Sequence, residues 1–453
     1  DIDGEPWGEP ASIGCDEYYA PGLTGSMSVV VSAQAYTSVV DTAIQFWCRI
    51  SGRSDSNRLS FGDGVVITNQ AMMASHSWSS TGTYSVVLSA YNQTYPQGVS
   101  ATATVKILSG AATARYVWTN SPSPLAPYTN WTTASRTIQA AVDAQPVFGG
   151  WVIVTNGVYS TGALPTPDGG PSNRVIVTNH VLVKSVNGPA ATIIKGAGPM
   201  GSNAVRGVYM TAGVLSGFTI TNGFTHAYSI FGSLGWLRGG GVLVRGGGTL
   251  TNCIIAGNAA DYYGGGTHGG VLKSCIIRGN RSSRYGGGAY DSDLYSCTID
   301  GNSAGIGGGA SESLLEGCVV SGNDGGIGGG VASSDLNNCL IVSNRADNGG
   351  GAAFGRLENC AVRYNVATIG GGVWSEASEG WCRVYDSLIE LNLATYNGGG
   401  AAGAPSVYYP NDETILYNSV VRYNRAAQNG GGVYSATANN CLIMENQAMV
   451  GGG

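Results

Sequence analysis

From residue 253 to residue 446 the chain repeats one short phrase: a small residue, two or three apolar residues, then Asn. It reads CIIAGN, CIIRGN, CTIDGN, CVVSGN, CLIVSN, CAVRYN, SLIELN, SVVRYN and CLIMEN. The apolar segments are short and rich in Ile and Val, which is strand chemistry. Gly triplets punctuate the phrases, starting at Gly239, Gly264, Gly286, Gly307, Gly328, Gly349, Gly370, Gly398, Gly430 and Gly451. Their spacings are 25, 22, 21, 21, 21, 21, 28, 32 and 21 residues. That period is too short for paired-helix repeats, and the Leu pattern of leucine-rich repeats is absent. Short strands, Gly corners and one period per turn predict a parallel β-helix, with equivalent positions stacked ~4.8 Å apart.

Two ladders follow from this register. Cys253, Cys275, Cys297, Cys318, Cys339, Cys360, Ser387, Ser419 and Cys441 form one; Asn258, Asn280, Asn302, Asn323, Asn344, Asn365, Asn392, Asn424 and Asn446 form the other. Cys suits a small inward position, and the Asn amides can pair along a turn. In-register thiols strain a disulfide, so buried free thiols are expected. The Gly triplets allow corners at positive φ. The stretch 132–144 is the one convincing helix. Ile138, Ala141 and Val142 share a face, and Ser135 or Thr137 can cap it.

Residues 24–108 lack Gly triplets and show strand alternation at 27–31, 44–50 and 84–91. Several short strands over this length suggest a β-sandwich. Ser60-Phe-Gly-Asp-Gly64, followed by His76-Ser-Trp and Gly82-Thr-Tyr-Ser-Val-Val-Leu88, resembles the PKD (polycystic kidney disease) domain family. Leu59-Ser60 replaces the Trp usual before that turn. From residue 116 the chain resembles the right-handed β-helix repeats of large bacterial surface proteins. The expected fold is therefore all-β: an Ig-like, PKD-like β-sandwich followed by a right-handed parallel β-helix.

Residues 1–19 resemble the closing segment of such β-helix domains. The expected organisation is a terminator-like segment at 1–22, a sandwich at 23–109, a linker and cap at 110–136 and the β-helix at 137–453. A chain that begins with a terminator and stops on Gly451-Gly452-Gly453 predicts head-to-tail joining with copies of itself, or tandem repeats in a longer chain. Asp1, Ile2, Asp3, Trp7, Ile13, Cys15 and Tyr18 would meet Gly451, Gly452 and Gly453 of a neighbour.

Composition narrows the function classes. Gly accounts for 73 of 453 residues and charged residues for only 11%, against a usual ~25% charged. A formal charge of −6 gives no basic surface for nucleic acid. No apolar run approaches the ~20 residues of a membrane span. His76, His180, His226 and His268 show no metal spacing, and no cofactor is implied.

The outward position three residues after the Cys ladder reads Ala256, Arg278, Asp300, Ser321, Val342, Arg363, Glu390, Arg422 and Met444. No two acids are adjacent there, so no acid/base centre is expected. Arg363, Glu390 and Arg422 should form a surface ion-pair ladder. Period-breaking insertions at 226–236, 374–385 and 403–414 carry Trp236, Trp374, Trp381, Tyr408 and Tyr409, which could stack on sugars. Asn92, Asn130 and Asn280 lie in N-glycosylation sequons. The reading that follows is an extracellular or cell-surface structural protein, not an enzyme, whose modules join into a fibre or stalk. A carbohydrate-binding adhesin is the alternative, and a polysaccharide lyase or hydrolase the third.

Overall fold

In a computed structural model of the chain, the repeat coils so that each period makes one turn. The described residues are 24–33, 35–40, 44–52, 54–68, 73–108, 114–145, 148–167, 169–227, 237–376, 380–404 and 414–452. The chain divides into two units. One comprises residues up to Ala114 with the stretches Gln145–Trp151 and His180–Leu182. The other takes in Arg115–Ala144, Val152–Asn179 and Val183–Gly453.

The first unit contains two sheets. β1 (Ser28–Ala33), β3 (Ile44–Ser51) and β6 (Met73–His76) form a three-stranded antiparallel sheet. β2 (Thr37–Val39), β4 (Ser56–Ser60), β5 (Val66–Thr68), β7 (Gly82–Tyr91) and β8 (Val99–Leu108) form a five-stranded one, in which β2 pairs with β8 in parallel. Alternate residues of both sheets meet in one core around Phe46, Leu59, Phe61, Trp78, Leu88 and Val105. Buried Trp78 satisfies its Nε1–H on the Phe61 carbonyl at 3.2 Å. Tyr84 stacks on Trp78 and donates its hydroxyl to the Ser80 carbonyl at 2.9 Å.

The second unit is a parallel β-helix. Each rung contributes a strand to a twelve-stranded sheet running from Gly157–Tyr159 to Leu442–Met444. Eight rungs add a short strand to a second sheet, from Ala259–Ala260 to Arg425–Ala426. A third, long sheet takes two segments per rung, such as Ala289–Tyr290 and Asp293–Tyr295, bent apart at a corner between them. Successive rungs pair in parallel and in register, as in Ile277↔Ile299 and Leu294↔Leu315. Those inward residues are fully buried. Helix α1 (Ile138–Asp143) is capped by Thr137, whose side chain accepts from the Ala140 amide, and buries Ile138, Ala141 and Val142.

Local chemistry fixes each corner. Gly286, the first of its triplet, has φ +60°, where a side chain would be strained. A Cβ on Gly287 would collide with the carbonyl oxygens of Ser303 and Gly308. The Asn corner is held by side chains. Asn302 donates Nδ2–H to Asn323 Oδ1 at 3.0 Å and to the Ile277 carbonyl at 2.9 Å. Its backbone amide also donates to Asn323 Oδ1. The pattern repeats from Asn258 to Asn446, so these buried amides are saturated.

The Cys row faces inward. Cys297 Sγ lies 3.5 Å from the Leu272 carbonyl and its amide 3.4 Å from Cys318 Sγ. The described cysteines are free thiols. Burial closes two of the three sequons. Asn92 is 3% exposed and Asn280, inside the ladder, 1%, while Asn130 is exposed. Oligosaccharide transfer needs an open amide, which only Asn130 of the three offers.

Candidate functional site

The corner between the two segments of the third sheet collects the reactive side chains. Four consecutive rungs turn there on a single residue at positive φ: Asp291 (52°), Glu312 (52°), Ser333 (48°) and Phe354 (59°). The Asp291 amide donates to the Ser311 carbonyl and the Glu312 amide to the Ala332 carbonyl, both at 3.2 Å. Asp291 and Glu312 are thus equivalent positions on consecutive rungs, one strand spacing of ~4.8 Å apart along the coil. Both are exposed. The expectation that no two acids are adjacent is corrected here. It held for the row counted from Cys, but this pair lies five residues after the first Gly of its triplet, in GGGAYD and GGGASE. Counting from the triplet would have found it.

Partial burial and the neighbouring Asp291 charge hold the Glu312 carboxyl above its usual range. Asp293, on the same rung as Asp291, is raised for the same two reasons, with Lys273 opposing. Lys273 is 2% exposed and lies 5.4 Å from the Tyr295 ring centre. Burial pulls its ammonium down to about 6, against the pull of Asp293.

An aromatic platform flanks the acids. Tyr263 and Tyr285 immediately precede Gly triplets, whereas His268 and Tyr290 follow them. The tight triplet turn folds the two sets together. Tyr263 lies 5.4 Å from Tyr285, nearly parallel to it, and 4.6 Å from Tyr290. His268 packs 5.2 Å from Tyr290. Arg238 sits over Tyr263, and Arg284 over Tyr262 and Tyr285. Burial, then the Asp291, Glu312 and Tyr263 charges around it, push Tyr290 up to about 12. Burial and the Arg238 charge pull His268 down to about 3. Arg238 Nε, His268 Nδ1 and Ser311 Oγ are buried without a hydrogen-bond partner among the described residues. Acids, phenols and a neutral imidazole on one flank are suited to proton transfer.

No family model and no curated protein matches the sequence. Among solved structures the chain is similar to a pectate lyase, with a TM-score of 0.34 and 14% identity over 74% of this chain and 78% of the other. It is also similar to the family 28 exopolygalacturonase of Yersinia enterocolitica, with a TM-score of 0.38 and 10% identity over 93% and 98%. Both are enzymes. The expectation that this chain is not an enzyme is corrected on that finding. The comparisons add nothing to the PKD resemblance or to a fibre.

The other expected site residues fare variously. Asp1, Ile2, Asp3, Trp7, Ile13, Cys15, Tyr18, Trp236, Tyr408, Tyr409 and Gly453 lie outside the described residues. The Gly451 and Gly452 carbonyls accept from Gly431 and Gly432. Trp374 belongs to the strand Val373–Glu376 rather than to a loop; it is 4% exposed and packs on Phe354 at 5.4 Å. That burial leaves it no face for a sugar. Trp381 is half-buried, with Arg383 over its ring at 4.7 Å. Glu390 lies 3.0 Å from Arg422 and 3.9 Å from Arg363 across consecutive rungs. It is only 8% exposed, so the expected surface ladder is instead a buried carboxylate between two half-exposed arginines. Among the described residues no cluster of His, Cys, Asp or Glu is placed to hold a metal ion, and no helix is long and apolar enough to cross a membrane.

Proposed function

We propose that the chain is a polysaccharide-cleaving enzyme whose reaction centre is the Asp291–Glu312 corner. The observation that carries this reading is the placement of two carboxyls on consecutive rungs beside the tyrosine platform. Glu312, raised by burial and by its neighbour, is the general acid that protonates the leaving glycosidic oxygen. Asp291 is the second carboxylate. Side chains rising from backbones ~4.8 Å apart can reach the ~5–5.5 Å carboxyl separation at which such a pair works with retention. Asp291 then attacks the anomeric carbon, and water, deprotonated by Glu312, releases the sugar. The tyrosines provide ring faces and edges for the sugars.

Arg238 and Arg284 on the platform offer counter-charge for acidic sugars. The polygalacturonase and pectate lyase that the chain resembles in fold make a uronate polymer the first substrate to try. An extracellular location suits a substrate too large to enter a cell.

The test is a reducing-end assay on polygalacturonate and neutral polysaccharides, with the product anomer read by proton NMR. Cleavage with retention, reduced at least ~10²-fold in Glu312→Gln and Asp291→Asn, is expected. Cleavage that survives both substitutions would sink the assignment.

A further inference from the structure

Beyond the acid corner, one row of the third sheet runs in unbroken register as Tyr295↔Glu316↔Asn337↔Glu358↔Tyr385↔Tyr417. Glu316 and Asn337 are buried, and Tyr385 and Tyr417 at its far end are half-buried. At its far end the aromatic rings are already stacked. Tyr385 and Tyr417 lie 5.0 Å apart with planes 7° from parallel. Arg356 covers the free face of Tyr385 at 4.8 Å while pairing with Glu358 at 3.0 Å. At the adjoining turn, the Asn440 amide donates to Asn418 Oδ1 at 3.0 Å.

We infer that the Tyr385–Tyr417 stack, with Arg356 and Asn418, is a distal binding surface for the polysaccharide whose cleavage is proposed at Asp291 and Glu312. It lies four to five rungs from Asp291, about 20–24 Å along the coil. This inference rests on the proposed function for the identity of the ligand, but the surface has its own chemistry. A pre-stacked column loses little side-chain freedom on binding. It presents ring edges, a guanidinium and amides at the coil repeat, which suits a hydroxyl-bearing polymer lying along the axis. The stack and the acid corner lie on one sheet, so a single extended chain long enough to cross the rungs between them can reach both. Its mixed charge and polar edges do not suit an apolar partner.

The experiment is affinity electrophoresis of the full chain in gels cast with polygalacturonate, xylan or hydroxyethyl cellulose. At least one polymer is expected to retard the protein. Retardation should weaken at least tenfold in Tyr385→Ser/Tyr417→Ser, and by a smaller factor in Tyr385→Phe/Tyr417→Phe, which keeps the stack and loses the hydroxyls. Should the serine variant fail to fold by circular dichroism, the phenylalanine variant decides. Glu312→Gln should lose cleavage yet keep full retardation, which separates failure of the surface from failure of the reaction centre. Turnover of a trisaccharide, too short to reach Tyr385 from Asp291, should be unchanged in the tyrosine variants. No retardation by any polymer, or retardation indifferent to both tyrosine variants, would overturn the inference.

Discussion

Asp291 and Glu312 occupy the same positive-φ corner on consecutive rungs, each amide bonded to the carbonyl of the residue before the next rung's corner. The backbone ladder, rather than any side-chain bond, sets their spacing. Neither carboxyl depends on the other for its position, but the Asp291 charge helps to raise Glu312.

The pH profile should report that coupling. Glu312 acts protonated, so activity falls as pH rises through its raised pKa. Burial is the larger cause of the shift and Asp291 the second. Asp291→Asn removes the second cause. Residual activity in that variant, rescued with azide as an external nucleophile, should show its basic limb at lower pH than wild type. An unmoved limb would show that Glu312 does not titrate it.

Lys273 should cost stability at neutral pH. Its folded pKa is depressed from 10.5 to about 6, so between those values the unfolded chain binds a proton that the folded chain does not. Stability is full above the unfolded value and declines as pH falls toward 6. Lys273→Met should therefore raise stability by up to about 5 kcal/mol at pH 7 and by almost nothing near pH 11. Denaturant midpoints at the two pH values check the difference.

The Asn ladder should be intolerant of truncation. Asn323→Ala removes the acceptor for the Asn302 amide and side chain, and the donor to Asn344 and the Ile299 carbonyl. Each buried group left unmatched costs about 1–3 kcal/mol, so a loss of at least ~3 kcal/mol is expected in urea unfolding. Asn440→Ala, at an exposed turn with φ +49°, loses one side-chain hydrogen bond to Asn418 and places Ala in the left-handed region, so a smaller loss of ~1–2 kcal/mol is expected.

Two glycines should separate strain from collision. Gly301 has φ +61° and open space around an added Cβ, whereas Gly287 faces two carbonyl oxygens. Gly301→Ala should cost ~1–2 kcal/mol and leave the circular dichroism spectrum intact. Gly287→Ala should cost clearly more, because two rungs must separate.

Thiol labelling should follow burial. In a Cys15→Ser background, Cys441 is the one described cysteine that is not buried. It should react first with Ellman's reagent. Cys48, pushed by burial up to about 11, and Cys382, pushed up to about 12, should react only on unfolding. Prompt release of several thiolate equivalents from the native chain would contradict the packing.

The repeating features were legible because one position governs one physical task. A stacked Asn satisfies the rung beside it, and a stacked Cys fills the same inward slot, so both recur at the coil period. Asp291 and Glu312 occur on two rungs only. They share a register with Ser333 and Phe354, to which no single residue type alerts a reader. Trp374 was misread because its neighbour sequence breaks period, yet the strand continues through Glu376 before the extra residues begin. Burial of Asn92 and Asn280 depends on chain returning from elsewhere, and no local triplet encodes that.

The coil period also determines how such a chain can change. Cys382 pairs with Gly355 and Thr414 with Cys382, while Glu376 pairs with Ala404, so the extra residues of the two longest rungs are inserted after Glu376 and after Ala404, at the corner that Asp291 and Glu312 occupy three to five turns earlier. Elsewhere the coil absorbs a single added residue as a local bulge, as between Ala394 and Asn397 opposite Ala367 and Ile369. Larger variation is thus channelled into two forms: duplication or loss of whole turns, and elaboration of one edge. New specificities can accumulate along that edge without disturbing the interior of the coil.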